Sequence, residues 1–151
     1  MRDAVFAEYR PGDTVIMAAA VADYRPRVAA PSKLKKGADP RTIECEPTPD
    51  ILSEIGRRRS GGLLVGFALE TEDLDARAVE KCARKKSDLI IGNLHSRDSA
   101  PFGDGVADYV FATPSGVSRK LRGATKGDAI NAIVDFLRAE MALAGRLTKS
   151  A

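Results

Sequence analysis

A doubly wound α/β fold, with a mostly parallel sheet and helices on both faces, is predicted by three features of this sequence. The stretches at 13–20, 63–67 and 88–93 each carry an unbroken apolar run, at 15–20, 63–67 and 89–92, that does not alternate, as in strands buried on both faces. Segments with helical spacing lie between and after them. No internal repeat or low-complexity stretch interrupts that order.

Residues 2–9 read as the end of a helix, with Val5 and Phe6 apolar and Pro11-Gly12 closing it. The strand at 13–20 opens the apolar run Val15-Ile16-Met17-Ala18-Ala19-Ala20-Val21-Ala22, which ends on Asp23-Tyr24-Arg25-Pro26. Pro26, Pro31, Gly37 and Pro40 make residues 24–40 a long loop, a length that inside a compact domain is usually functional. Residues 41–46 alternate and read as a half-exposed strand. A helix then starts with Thr48 as cap, Pro49 in the first helical position and Asp50 at the positive end of the dipole. Ile51, Leu52 and Ile55 form its apolar stripe. Arg57-Arg58-Arg59 reads as a solvated last turn matched to the dipole, and Gly61-Gly62 as the stop.

The second buried strand follows at 63–67, and a helix at 74–86 turns Ala78, Val79, Cys82 and Ala83 inward. The third strand is 88–93. Residues 94–106 are polar and loop-like, with a turn at Phe102-Gly103-Asp104-Gly105. A short strand is expected at 108–112 and another near Lys120-Leu121. Thr125 caps the last helix, where Ile130, Ile133, Val134, Leu137 and Met141 follow i, i+3, i+4, i+7, i+11. The domain is placed at residues 1–144, with 145–151 as a frayed tail. A complete doubly wound nucleotide fold opens with strand, Gly-rich turn and helix. That opening is absent here, so the first βαβ portion is expected to be missing.

Composition narrows the function classes. The 151 residues carry 24 basic and 21 acidic side chains, a net charge of +3, with 5% aromatic content. That is a poor match to nucleic acid, which rewards charge neutralisation and stacking. No apolar stretch reaches the roughly 18 residues of a membrane span, and no secretory leader is visible. The chain reads as cytoplasmic. Cys45 and Cys82 lack metal-type spacing and read as buried or half-buried apolar groups. His95 is the only histidine, so no His-based triad or zinc cage can be assembled.

The basic residues cluster at 33–36, 57–59 and 81–86. Asp23 stands at the carboxyl end of a predicted parallel strand, and Lys33-Leu34-Lys35-Lys36 begins ten residues later. In open α/β sheets that edge binds phosphorylated ligands. Lys81 and Lys85 stack on one side of their helix. With Lys33 they would neutralise a triphosphate from several directions; a solvated helix face has the same spacing. The helix start at Pro49, Asp50, Ile51 and Leu52 offers free N–H groups to an anion or a polar ligand edge, or serves as plain capping. Phe67 could pack on a base or a ribose, or be core.

Jointly these segments resemble one family. Ala18-Ala19-Ala20-Val21-Ala22-Asp23-Tyr24-Arg25-Pro26, Lys33-Leu34-Lys35-Lys36, Pro47-Thr48-Pro49-Asp50-Ile51-Leu52, Val65-Gly66-Phe67-Ala68, Glu70-Thr71-Glu72 and Lys81 with Lys85 are similar, in order and spacing, to bacterial phosphopantothenoylcysteine synthetase domains. Such domains are usually fused behind a flavin-dependent decarboxylase in coenzyme A biosynthesis. The resemblance covers about residues 5–140. It implies a Rossmann-like fold with an antiparallel dimerisation extension, and a homodimer. It implies a CTP-dependent ligase that joins 4′-phosphopantothenate to L-cysteine through an acyl-cytidylate, with Mg²⁺ on the triphosphate and no flavin in this chain. Asp23, Pro49, Asp50, Ile51, Leu52, Phe67, Lys81 and Lys85 match nucleotide-binding positions. Lys33 matches the first lysine of a loop that reaches the triphosphate and is the catalytic candidate; no metal ligand is assigned.

The chain departs from the family at Leu69, where alanine is usual, and at Asn93-Leu94, where Asn-Asp is usual. The first bears on packing near the base and the second on ribose or substrate contacts. The upstream segment linked to phosphopantothenate and acyl-cytidylate handling is not in the sequence, so the chain alone is expected to bind nucleotide without completing catalysis. The alternative is a non-catalytic Rossmann-like nucleotide-binding or assembly module.

Overall fold

The computed structural model describes residues 1–37, 41–70, 72–94 and 105–149. Its elements run α1 (Arg2–Glu8), β1 (Val15–Met17), β2 (Tyr24–Pro26), β3 (Cys45–Pro47), α2 (Ile51–Arg58), β4 (Leu64–Glu70), α3 (Leu74–Lys85), β5 (Leu89–Leu94), β6 (Ala107–Thr113), β7 (Gly116–Ala124) and α4 (Lys126–Lys149). His95 and the turn at 102–105 lie wholly or largely outside the described residues.

The sheet order is β1-β4-β5-β6-β7. β1, β4 and β5 are parallel, β6 is reversed, and β7 returns to the first direction. Four of the five strands therefore point one way, as the apolar runs predict. Register places Val15 beside Leu64 and Val65 beside Leu89. Helices cover both faces. Ile51, Leu52 and Ile55 of α2 and Ala78 and Cys82 of α3 pack on Leu64, Ala68 and Ile90, with Val5, Phe6 and Tyr9 of the α1 segment at the margin. On the other face Ala129, Ala132 and Ile133 of α4 pack on Val65, Leu89, Ile91 and Phe111.

Local chemistry accounts for the helix ends. Thr125 and Asp128 cap α4 reciprocally: Asp128 N–H donates to the Thr125 hydroxyl at 3.2 Å and Thr125 N–H donates to the Asp128 carboxylate at 2.9 Å. The α4 backbone runs to Lys149, and the last two residues of the expected frayed tail lie outside the described residues. α3 closes on Lys86 in the left-handed region, at φ 52.

Several elements differ from the sequence reading. The first strand is not a long buried run. Only Val15–Met17 is extended, Ile16 is 47% exposed and Val21 is 40% exposed. The reason is position: among the described residues β1 pairs with β4 alone, and α4 covers strands on the far side of β4. Residues 24–26, expected as loop, form β2 and pair antiparallel with β3, Arg25 opposite Glu46. Cys45, expected to be at least half-buried, is exposed on this ribbon, whereas Cys82 is buried and donates to the Ser87 carbonyl at 3.1 Å. The last-turn arginines are not simply solvated. Arg58 pairs with Glu54 and lies 4.5 Å from the Phe6 ring. Arg59 leaves the helix to pair with Asp88, which also accepts Leu64 N–H at 2.7 Å. That contact ties the end of α2 to the start of β4 and β5.

Candidate functional site

Parallel strands end in backbone that has turned away from its neighbour, so a crevice opens beyond their carboxyl ends. Here it is a cavity of about 480 Å³ between the end of β1, the start of α2 and the outer side of α3. Asp23 and Tyr24 form one wall; Pro49, Asp50, Ile51 and Leu52 form the floor at the helix start; Phe67 enters from β4; Lys81, Arg84 and Lys85 enter from α3. Every nucleotide-side residue singled out from the sequence except Lys33 lines this one cavity.

Two hydrogen bonds hold its near wall. Thr48 N–H donates to the Asp23 carbonyl at 2.8 Å, and the Thr48 hydroxyl donates to the Ala22 carbonyl at 2.5 Å. Thr48 is thus a strap between the Ala22-Asp23 backbone and α2. It is not the helix cap, as expected from sequence. The cap is Asp50, whose carboxylate accepts Ser53 N–H at 3.0 Å and the Ser53 hydroxyl at 2.7 Å. Asp50, read from the sequence only as a charge at the positive end of the dipole, takes the cap, and Thr48 is bonded back to the Ala22-Asp23 backbone instead. The N–H groups of Ile51 and Leu52, in the first turn of α2, have no partner within the helix, and both residues line the same crevice.

Asp50 also accepts the ammonium of Lys85, whose side chain is 11% exposed. Burial raises the Asp50 carboxyl, but hydrogen bonds from Lys85 and Ser53, with the Lys85 charge, more than offset this and hold it at about 2. A folded value below the unfolded one stabilises the fold above the ordinary carboxylate range, and the gain is lost as pH falls toward 2. With Asp50 partly exposed, that gain is about 1 kcal/mol. Asp50→Asn is expected to lose less stability than the parent between pH 5 and pH 2.5 in urea titrations; equal losses would remove this assignment.

Arg84 was not singled out from the sequence. Its signal was present: it stands three residues after Lys81, on the same helix side. It also borders a second cavity of about 210 Å³, shared with Lys81 and walled by Glu70, Glu72, Arg77 and Glu80. Lys33 is exposed and is not in the wall of the large cavity. Phe67 is 37% exposed, so its ring is open to the cavity and not core. Leu69 is 49% exposed and lies outside the cavity wall, paired in register with Asn93 of β5. The two departures from the family pattern are therefore neighbours across one strand pair. Among the described residues no group of three His, Cys, Asp or Glu side chains could hold a metal ion, and no helix is long and apolar enough to cross a membrane.

Comparison with known proteins places these features in context. A family described as DNA/pantothenate metabolism flavoprotein C-terminal domain matches residues 1–141. The coenzyme A biosynthesis bifunctional protein CoaBC of Bacillus subtilis (strain 168) is 43% identical over 103 residues, which is 68% of this chain and 25% of that protein. A cysteine/cysteine sulfinic acid decarboxylase from an unknown prokaryotic organism is 36% identical over 135 residues, 89% of this chain and 38% of that protein. Among solved structures, the C-terminal domain of a CoaBC protein superposes with a TM-score of 0.67 at 31% identity, covering 94% of this chain and 60% of that chain. The chain thus spans well under half the length of these relatives and about three fifths of the solved domain.

Proposed function

This chain belongs to the DNA/pantothenate metabolism flavoprotein C-terminal domain family, and on that premise we propose that it is the nucleotide-binding part of a phosphopantothenate–cysteine ligase. The observation that carries the proposal is convergence. Asp23, Pro49, Asp50, Ile51, Leu52, Phe67, Lys81 and Lys85, picked from separate segments of sequence, line a single crevice. The crevice lies at the edge of a parallel sheet where nucleotides bind.

In this reading a carboxylate oxygen of 4′-phosphopantothenate attacks the α-phosphorus of CTP and pyrophosphate leaves. The amine of L-cysteine then attacks the acyl carbon, CMP leaves with the bridging oxygen, and the nitrogen loses a proton. Lys81 and Arg84 contribute positive charge beside the phosphates, and preorganised charge stabilises a transition state more than water does. The N–H groups at the start of α2 face polar atoms of the nucleotide. Phe67 offers an apolar face to the base or ribose, and Asp23 an acceptor for hydroxyl groups. Magnesium, which is normally held by phosphate oxygens, water and one or two carboxylates, would find Asp23 as the carboxylate in the wall that makes no ion pair among the described residues; bound there, it would neutralise phosphate charge. A flavin belongs to the fused decarboxylase domain and has no place in this step.

Calorimetry with CTP and Mg²⁺ tests the nucleotide site. Saturable binding is expected, weakened about tenfold or more in Lys81→Ala, as loss of a cation beside a polyanion implies. No binding by the parent chain would remove the proposal.

A second reading keeps the binding and drops the turnover. Among the described residues the outer edge of β1 pairs with no strand, and the exposed Ile16 and Val21 beside it favour this reading, because the crevice is uncovered along that edge. The 151 residues alone are then expected to release little pyrophosphate from CTP with both substrates present; rapid release would remove this reading.

The family also suggests a homodimer. The β2–β3 ribbon supports one, since an isolated two-stranded ribbon is marginal in water and this one forms a sheet of its own, with Cys45 exposed on it and Val28 and Ile43 exposed beside it. Light scattering is expected to give twice the 16.1 kDa chain mass; a monomer at micromolar concentration would exclude a stable dimer.

A further inference from the structure

Lys85 stretches along α2 to reach Asp50, so a largely buried cation of the cavity is matched to a fixed acid within the site itself. The Asp50 carboxylate has about four lone-pair positions. Ser53 N–H takes one on Oδ1; the Ser53 hydroxyl and the Lys85 ammonium take both on Oδ2. One position on Oδ1 is left, on a side chain still 42% exposed. By contrast Lys81 and Arg84 make no ion pair among the described residues, though they line the same cavity.

We infer that Asp50 is a specificity-determining residue: by holding Lys85 it makes tight binding depend on the nucleoside and not on polyphosphate charge alone. The inference rests on the nucleotide reading of the cavity. A bare polyphosphate that approaches Lys85 meets a negative carboxylate and a cation already engaged. It must rely on Lys81 and Arg84. A nucleotide brings hydroxyl and amino donors as well, and the open lone pair of Oδ1 accepts one of them. The same group that repels the phosphate chain thus holds the nucleoside. Product release follows the same logic, since pyrophosphate lacks any donor for Asp50.

The test compares CTP and inorganic tripolyphosphate, each with Mg²⁺, in calorimetry on the full chain. Asparagine caps a helix as well as aspartate does, so Asp50→Asn keeps the Ser53 bond and removes the charge. It is expected to bind tripolyphosphate about tenfold tighter, the size of one partly screened charge a few ångströms away. Its affinity for CTP should change much less, so the preference for nucleotide shrinks. Adding Lys85→Met to Asp50→Asn should abolish the gain, which shows that it comes through Lys85. Unchanged or weaker tripolyphosphate binding in Asp50→Asn, with CTP bound by the parent, would overturn the inference and leave the nucleotide reading intact. A parent chain that binds neither ligand would overturn both. A second measurement needs no variant: in the parent, tripolyphosphate should slow acetylation of Lys81 but not of Lys85. Equal protection of the two lysines would overturn the inference.

Discussion

Gly56→Ala is expected to lower the stability of the chain by about 3 kcal/mol, at the upper end of overpacking penalties, and its Tm by roughly 6–12 °C for a domain of this size. Gly56 lies in α2 where that helix crosses the end of α3. A Cβ built there would stand 2.0 Å from the Lys85 carbonyl oxygen and 3.3 Å from the Lys86 Cβ. The first contact is with backbone, so no rotamer relieves it; α2 and α3 must move apart by an ångström or more. Alanine is intrinsically better than glycine in a helix by about 1 kcal/mol, but that gain is smaller than the clash. The damage reaches the site, because the Asp50–Lys85 pair spans the same two helices and rests on their close approach. CTP affinity should therefore fall along with Tm. Urea unfolding and calorimetry on the same preparation check both, and a variant with parental Tm would show that this crossing has slack.

What the sequence made legible, and what it did not, follows from how local each signal is. β4 and β5 announced themselves through their apolar cores: Leu64, Val65, Ala68, Leu89, Ile90 and Ile91 are buried between helices on the two faces. α4 announced itself through a cap and a helical period, but the expected stripe is turned: Ile130, Val134 and Met141 are exposed, and Ala129, Ala132 and Ile133 pack on the sheet. β7 announced itself only near Lys120-Leu121: it is an edge strand with Ser118, Arg119, Lys120 and Arg122 exposed, and polar outer strands carry little apolar pattern to mark their length. β2 was silent. Tyr24-Arg25-Pro26 is extended only because β3 lies opposite, with Arg25 held by Glu46 from twenty-one residues away. The run at 15–22 misled in the other direction. Its apolar character is real, but burial depends on what lies beyond β1, which composition does not encode. At the site, the residues were legible as positions in a family pattern, whereas the Asp50–Lys85 pair was not, because it joins two helices thirty-five residues apart.

Lys33 shows how a residue matched by pattern can sit outside the cavity wall, and its substitution carries the second large effect. Lys33→Ala is expected to lower kcat by about 10²-fold, as removal of one preorganised charge at a reacting phosphate does, while CTP affinity changes by about threefold or less. The split follows from position. Lys33 lies on exposed backbone within residues 27–37, and the cavity wall is built without it. A ligand held by that wall gains little from a side chain that does not belong to it. If the loop closes when charge builds at the α-phosphate, Lys33 contributes to the transition state and not to the ground state, and only such differential contacts raise the rate. Closure would also keep water from the acyl-cytidylate. The opposite pattern would place Lys33 in the resting site: a large loss of CTP affinity with kcat preserved. Pyrophosphate release, followed in the longest natural form of the protein that turns over, gives kcat, and calorimetry on this chain gives affinity. The comparison with Lys81→Ala sharpens the result, since Lys81 already lines the cavity and its loss should appear mainly in binding.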